Sequence, residues 1–138
     1  MEQIKKVLLI DDDTVTNMMH QRIINKSGRA QEILVATDGL AALEILEQHI
    51  SDNETLPELI FLDINMPRMG GFEFLEEFEE RGIGANGQKI IVMLSTSLMK
   101  SDHDRAQADP NVHCFANKMI GSEEFLGFVE EALLIRPT

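Results

Sequence analysis

The stretch Val7-Leu8-Leu9-Ile10-Asp11-Asp12-Asp13 decides how the chain is read: four large apolar residues in a row, then three carboxylates. An unbroken apolar run of this length, cut off by polar residues, is the pattern of a strand buried on both faces. Four more such runs follow, at 33–36, 59–62, 90–94 and 112–116. Strands covered on both faces need helices on either side, so the intervening segments are expected to be helical. Residues 14–26 put Val15, Met18, Met19 and Ile23 on one side, the expected core face, and Ser27-Gly28 supplies a stop. Residues 39–50 repeat Leu43, Leu46 and Ile50 behind Asp38, the expected N-cap. Residues 70–81 carry Phe72, Leu75 and Phe78 beside a solvated face of Glu73, Glu76, Glu77, Glu79 and Glu80. A fourth helix near 98–108 is polar and has few apolar anchors. In the last, Phe125, Phe128, Val129, Ala132 and Leu133 keep helical spacing after Ser122, the expected cap. Strand then helix, five times over, predicts an α/β fold with right-handed crossovers and a doubly wound parallel sheet.

Composition agrees with one core. A length of 138 residues suits a single domain over 1–138, with no second domain attached, and 43% hydrophobic residues are too many for a disordered chain. Twelve Lys and Arg against 24 Asp and Glu leave a net charge of -12, which repels a phosphate backbone and argues against direct nucleic-acid binding. The single cysteine, Cys114, excludes an internal disulfide and a thiolate cluster, and reads as a small buried hydrophobe in a cytoplasmic protein. The N-terminal residues resemble neither a signal peptide nor a membrane span. His20, His49, His103 and His113 lack metal-site spacing and are expected on the surface or on helix faces.

Chemistry concentrates at the strand ends. Asp11, Asp12 and Asp13 follow Ile10, Asp63 follows Leu62, Ser95 follows Leu94, and Lys118 closes the fifth strand. Open parallel sheets bind ligands at the carboxyl ends of their strands, and with the order 2-1-3-4-5 these residues meet in one pocket. Carboxylates a few Å apart repel unless a cation joins them, and an all-oxygen site suits Mg2+. Lys118 could neutralise phosphoryl oxygens opposite the ion. A nucleophilic carboxylate, a hard cation and a lysine suffice for phosphoryl transfer. Asp13 has the alternative role of capping the first helix.

These residues resemble the receiver domains of two-component response regulators, over nearly the whole chain. Val7 to Asp13 is similar to the family's first strand with its acidic pair. Phe61-Leu62-Asp63-Ile64-Asn65-Met66-Pro67, continued by Met69-Gly70-Gly71, is similar to its phosphoacceptor motif. Ile90 to Thr96 is similar to the strand that ends in a switch Ser or Thr, and Lys118 falls at the family's lysine. The resemblance implies a flavodoxin-like (βα)5 fold, order 2-1-3-4-5, acting as a switch without an attached output domain. Asp63 would accept a phosphoryl group from a sensor histidine kinase or a histidine phosphotransfer protein. Asp12, Asp63 and the main-chain carbonyl of Asn65 would hold Mg2+, with Asp11 directly or through water. Ser95 and Lys118 would contact the phosphoryl group, and Phe115 would be the aromatic switch, remodelling the surface near the fourth and fifth helices for a downstream partner.

Two residues depart from the family. Met119 stands where proline joined by a cis peptide is usual, leaving cis and trans both open. Thr96, bulkier than the usual small residue, would narrow access for the phosphate. Two rival readings are an interaction module of the same fold that is not phosphorylated, and a Mg2+-dependent aspartyl phosphohydrolase. Against the second, Asn65 stands where such an enzyme has its acid and cannot exchange a proton.

Overall fold

The computed structural model describes residues 2–85, 89–96 and 99–135. Its elements alternate along the chain: β1 (Ile4–Ile10), α1 (Thr14–Ser27), β2 (Ala30–Ala36), α2 (Gly39–Ser51), β3 (Leu59–Asp63), α3 (Gly71–Glu80), a single 3-10 turn (Ile83–Ala85), β4 (Ile90–Ser95), α4 (Lys100–Ala108), β5 (Val112–Asn117) and α5 (Ser122–Ile135). All five strands are parallel, in the order β2-β1-β3-β4-β5. This is the doubly wound parallel sheet that the strand-helix alternation predicts, in the flavodoxin-like order that the resemblance implies.

The period of two along the strands divides the core. Leu8, Ile10, Ile60, Leu62, Ile91 and Met93 point to one face, where Leu43, Leu46, Phe74, Leu75 and Phe78 from α2 and α3 cover them. Val7, Leu9, Leu59, Phe61, Val92 and Leu94 point to the other, beneath Ile24 of α1 and Phe125, Val129 and Ala132 of α5. Each fully buried Leu, Ile or Phe contributes about 1.5–3 kcal/mol of burial, so both layers are needed. The runs 33–36 and 112–116 lie in the edge strands, where several side chains are only half-buried. Cys114 is accordingly half-buried, not fully buried.

Two helix expectations are corrected. In α1, Val15 and Met18 are 62% and 64% exposed and Met19 is also exposed, whereas Thr16, Asn17, His20 and Ile24 face inward. Asp13 sets the helix phase by capping it, accepting the N–H of Val15 at 3.0 Å and the hydroxyl of Thr16 at 2.8 Å. The Asn17 amide then donates to the carbonyl of Asp11 at 2.9 Å, so polar contacts at the strand end fill the inner face. Ser122 is the first residue of α5, not its cap, and the N–H of Gly121 before it is taken by the Glu124 carboxylate at 3.0 Å. Of the four histidines, His20 and His49 lie on helix faces, in α1 and α2, and are buried there. The glutamate face of α3 is mostly solvated, although Glu73 accepts the N–H of Gly70, Glu76 pairs with Arg105, and Glu77 pairs with Arg81. Helix α4 is anchored by one buried residue, Ala106, as its polarity predicts, and Leu98 lies outside the described residues.

Candidate functional site

Four strands deliver the site to one end of the sheet. Asp11 and Asp12 follow β1, Asp63 ends β3 one residue beyond Leu62, the partner of Ile10, and Ser95 ends β4. Asp11, Asp12 and Asp63 each offer a carboxylate oxygen, and these lie within 4.8 Å of one another. Asp11 and Asp63 are buried and Asp12 is exposed. Lys118 reaches in from the end of β5, its ammonium 3.1 Å from Asp11 Oδ1 and 3.4 Å from Asp63 Oδ2. Three carboxylates against one ammonium leave two negative charges to be balanced.

Asp11 is held in place from two sides. Its Oδ1 accepts the N–H of Asp13 at 2.9 Å as well as the Lys118 hydrogen bond. Its Oδ2 is 3.0 Å from the same ammonium, close enough for attraction but off the donor direction, and is buried without a hydrogen bond. A buried carboxylate oxygen with spare lone pairs beside two further carboxylates is a fitting donor set for a hard divalent cation. Burial, and next to it the charge of Asp11, raises the Asp63 carboxyl from an ordinary 3.8 to about 6, with Lys118 opposing the rise. Burial would lower the Lys118 ammonium, but its hydrogen bond to Asp11 and the charges of Asp63 and Asp11 outweigh that and raise it.

The backbone around Asp63 is closely packed. A Cβ on Gly71, the first residue of α3, would lie 2.5 Å from the Asp63 carbonyl oxygen and 3.0 Å from Ile64 Cα, so only glycine fits. The N–H of Gly71 donates to the carbonyl of Ile64 at 2.8 Å. Arg68, in the left-handed region at φ +63°, turns its guanidinium onto the buried Asp38 carboxylate, with Nε at 2.7 Å and Nη2 on the same oxygen. Asp38 also caps α2 through the N–H of Ala41 at 2.9 Å. The loop that follows Asp63 is thereby tied to the β2–α2 turn.

The remaining expected residues are placed as follows. Ser95 is buried, and its carbonyl accepts the N–H of Lys118 at 3.0 Å. Asn65 and Thr96 are exposed just beyond β3 and β4. Phe115 is half-buried against the α2–α3 side of the core, its ring centroid 3.9 Å from that of His103 in α4. Met119 follows Lys118 through a trans peptide and adopts φ +68°. The sequence reading missed Asn17, His20, Asp38 and Arg68 as neighbours of the site's loops. For the first two a signal existed, since Thr16, Asn17, His20 and Ile24 share one helical face leading from the acidic strand end.

The family model for the response regulator receiver domain matches residues 7–130. The chain belongs to that family. Among curated receiver-containing relatives, response regulator Rcp1 of Synechocystis is 28% identical over 127 residues, covering 91% of this chain and 84% of its own. A two-component response regulator from Cytophaga hutchinsonii superposes with a TM-score of 0.88 at 30% identity, covering 96% of this chain and 98% of that one. The Mn2+-bound form of Rcp1 superposes with a TM-score of 0.69 at 26% identity, covering 95% and 93%. A protein-glutamate methylesterase of Thiobacillus denitrificans is 38% identical over 72 residues, only 18% of its length. That likeness is confined to the receiver part, and receivers are mostly non-enzymatic signalling domains. They bind Mg2+ at an acidic pocket and interact with histidine kinases or phosphotransfer proteins and with downstream partners. Among the described residues, no helix is long and apolar enough to cross a membrane.

Proposed function

We propose that this receiver is a phosphorylation-dependent switch in which Asp63 accepts the phosphoryl group. One observation carries the reading: a buried carboxylate stands beside two others within 4.8 Å, with a lysine ammonium 3.4 Å away. Asp12, Asp63 and the Asn65 main-chain carbonyl would hold Mg2+, Asp11 joining directly or through water, and the Mn2+-bound Rcp1 structure supports a divalent ion in such a pocket. When bound, the ion supplies positive charge against the carboxylates and the phosphoryl oxygens.

The residues of the chain then have distinct tasks. An Asp63 carboxylate oxygen attacks phosphorus; the new O–P bond forms as the donor's P–N bond breaks, and the electron pair leaves with the imidazole nitrogen. Lys118, whose ammonium already stands 3.4 Å from Asp63, neutralises the transferred oxygens. Ser95 turns toward the phosphoryl group to hydrogen-bond it, and Thr96 borders the approach and slows small donors. Phe115 then shifts its packing, changing the surface near α4 and α5 for a protein partner. Such a change requires contacts that differ between the two states, which the phosphoryl group supplies. The phosphoryl donor would be a sensor histidine kinase or a histidine phosphotransfer protein.

The test is intact-protein mass after incubation with acetyl phosphate and Mg2+. One added phosphoryl group is expected in the native chain, and none in Asp63→Asn or with chelator present. No uptake from acetyl phosphate, repeated with a histidine kinase donor, would leave the fold as an interaction module that is not phosphorylated.

A further inference from the structure

Lys118 is aimed by a turn whose conformation needs outside support. Met119 sits at φ +68°, a backbone region that residues with a Cβ adopt only when their surroundings hold them there. Two hydrogen bonds bracket it. On one side the N–H of Lys118 donates to the Ser95 carbonyl at 3.0 Å. On the other the N–H of Ile120 donates to Nε2 of His20 at 3.1 Å, across 100 residues of sequence.

His20 is 5% exposed, and its ring lies among apolar side chains. It borders a cavity of about 10 Å³ whose other walls are Ile23, Ile24, Phe61, Ile120 and Phe125. That volume is at most one water's worth, and its walls give a water few partners. The Ile120 N–H therefore has no ready substitute for the imidazole nitrogen. Because Nε2 accepts, the ring proton belongs on Nδ1, and burial, which lowers the tendency of His20 to protonate, keeps that neutral form.

The geometry points to His20 as a positioning residue: by accepting the Ile120 N–H, it fixes the left-handed turn at Met119 and so directs the Lys118 ammonium onto Asp11 and Asp63. The inference rests on the phosphoacceptor reading for its consequence, but not for the placement of Lys118. It accounts for how a chain with methionine after the lysine keeps that ammonium 3.1 Å from Asp11. It also accounts for a buried histidine on a helix face that the apolar pattern assigns to solvent.

The experiment compares His20→Gln, whose amide oxygen can stand where Nε2 does, with His20→Leu and with His20→Asn, whose oxygen is too short to reach. The first readout is the Nζ resonance of Lys118 in protein labelled with 15N-lysine, identified by its loss in Lys118→Gln. An ion-paired ammonium exchanges its protons slowly enough to be seen. The signal is expected in the native chain and in His20→Gln, and expected to vanish in His20→Leu and His20→Asn. The second readout is the initial rate of phosphoryl uptake from acetyl phosphate, expected to fall about ten- to a hundredfold in Leu and Asn and to be rescued by Gln, as for a misplaced catalytic group.

Retention of the Lys118 signal in His20→Leu would overturn the proposal. If that variant fails to fold, equal signals in Gln and Asn overturn it instead. Should the native chain take up no phosphoryl group, the phosphoacceptor reading falls, while the ammonium comparison still decides what His20 does.

Discussion

Asp63 illustrates how a functional residue works against the fold that holds it. Its carboxyl is raised from 3.8 to about 6, first by burial and then by Asp11. Between those values the folded chain binds more protons than the unfolded one, so stability falls as pH rises through the window and the loss is complete above about 6. Asp63→Asn is therefore expected to stabilise the metal-free protein at pH 7 by about 1–2 kcal/mol after allowance for solvent screening. The gain should shrink below pH 6 and disappear near 3.8, as read from urea midpoints at several pH values with chelator present. Asp63, Asp11 and Lys118 were legible because a charged residue ending an apolar run is expensive to bury without a purpose. His20 and Asn17 left only the weak signal of a helical face shared with Thr16 and Ile24, because a neutral polar side chain shows neither charge nor apolar periodicity, and the burial of His20 depends on a partner distant in sequence, Ile120.

At the scale of elements, α1 shows where apolar pattern and burial separate. Its inner face is chosen by Asp13 capping the helix and by Asn17 and His20 meeting backbone groups, so Val15, Met18 and Met19 are turned outward. Helix α5 had no such competition, and its apolar stripe packs as expected. Helix α3 is fixed differently, by the near contact of Gly71 with the Asp63 carbonyl. Gly71→Ala must push α3 away from β3, with an expected cost of about 1–3 kcal/mol. Because the displaced atoms belong to Asp63, its Mg2+ affinity should fall as well, measurable by calorimetric titration beside a urea melt. A variant that kept native affinity and stability would show that this contact relaxes without moving the site.

Across the whole molecule, strand alternation sufficed to read the parallel sheet, since short continuous runs of Val, Ile and Leu bounded by polar residues arise chiefly in strands covered on both faces. It did not distinguish the covered interior strands from the half-exposed edges β2 and β5, because runs of four or five apolar residues look alike wherever they lie in the sheet. The net charge of -12, partly gathered as a carboxylate cluster at one end, makes the fold responsive to cations. If Mg2+ binds only the folded chain, it adds about 2.7 kcal/mol at a hundredfold excess over its dissociation constant. The melting temperature should climb with Mg2+, return with chelator, and climb less in Asp12→Asn; a flat response would remove the metal from the mechanism. The hydrogen bond from the Lys118 N–H to the Ser95 carbonyl adds a constraint on tempo. It clamps together the two backbones that flank the proposed phosphoryl pocket, so Ser95 can respond by turning about its own Cα–Cβ bond while its peptide stays still. Turning one side chain displaces no element, whereas collective helix displacement takes microseconds and beyond. The first reaction to a phosphoryl group would thus be local, and any collective phase in the response would belong to the lightly anchored α4.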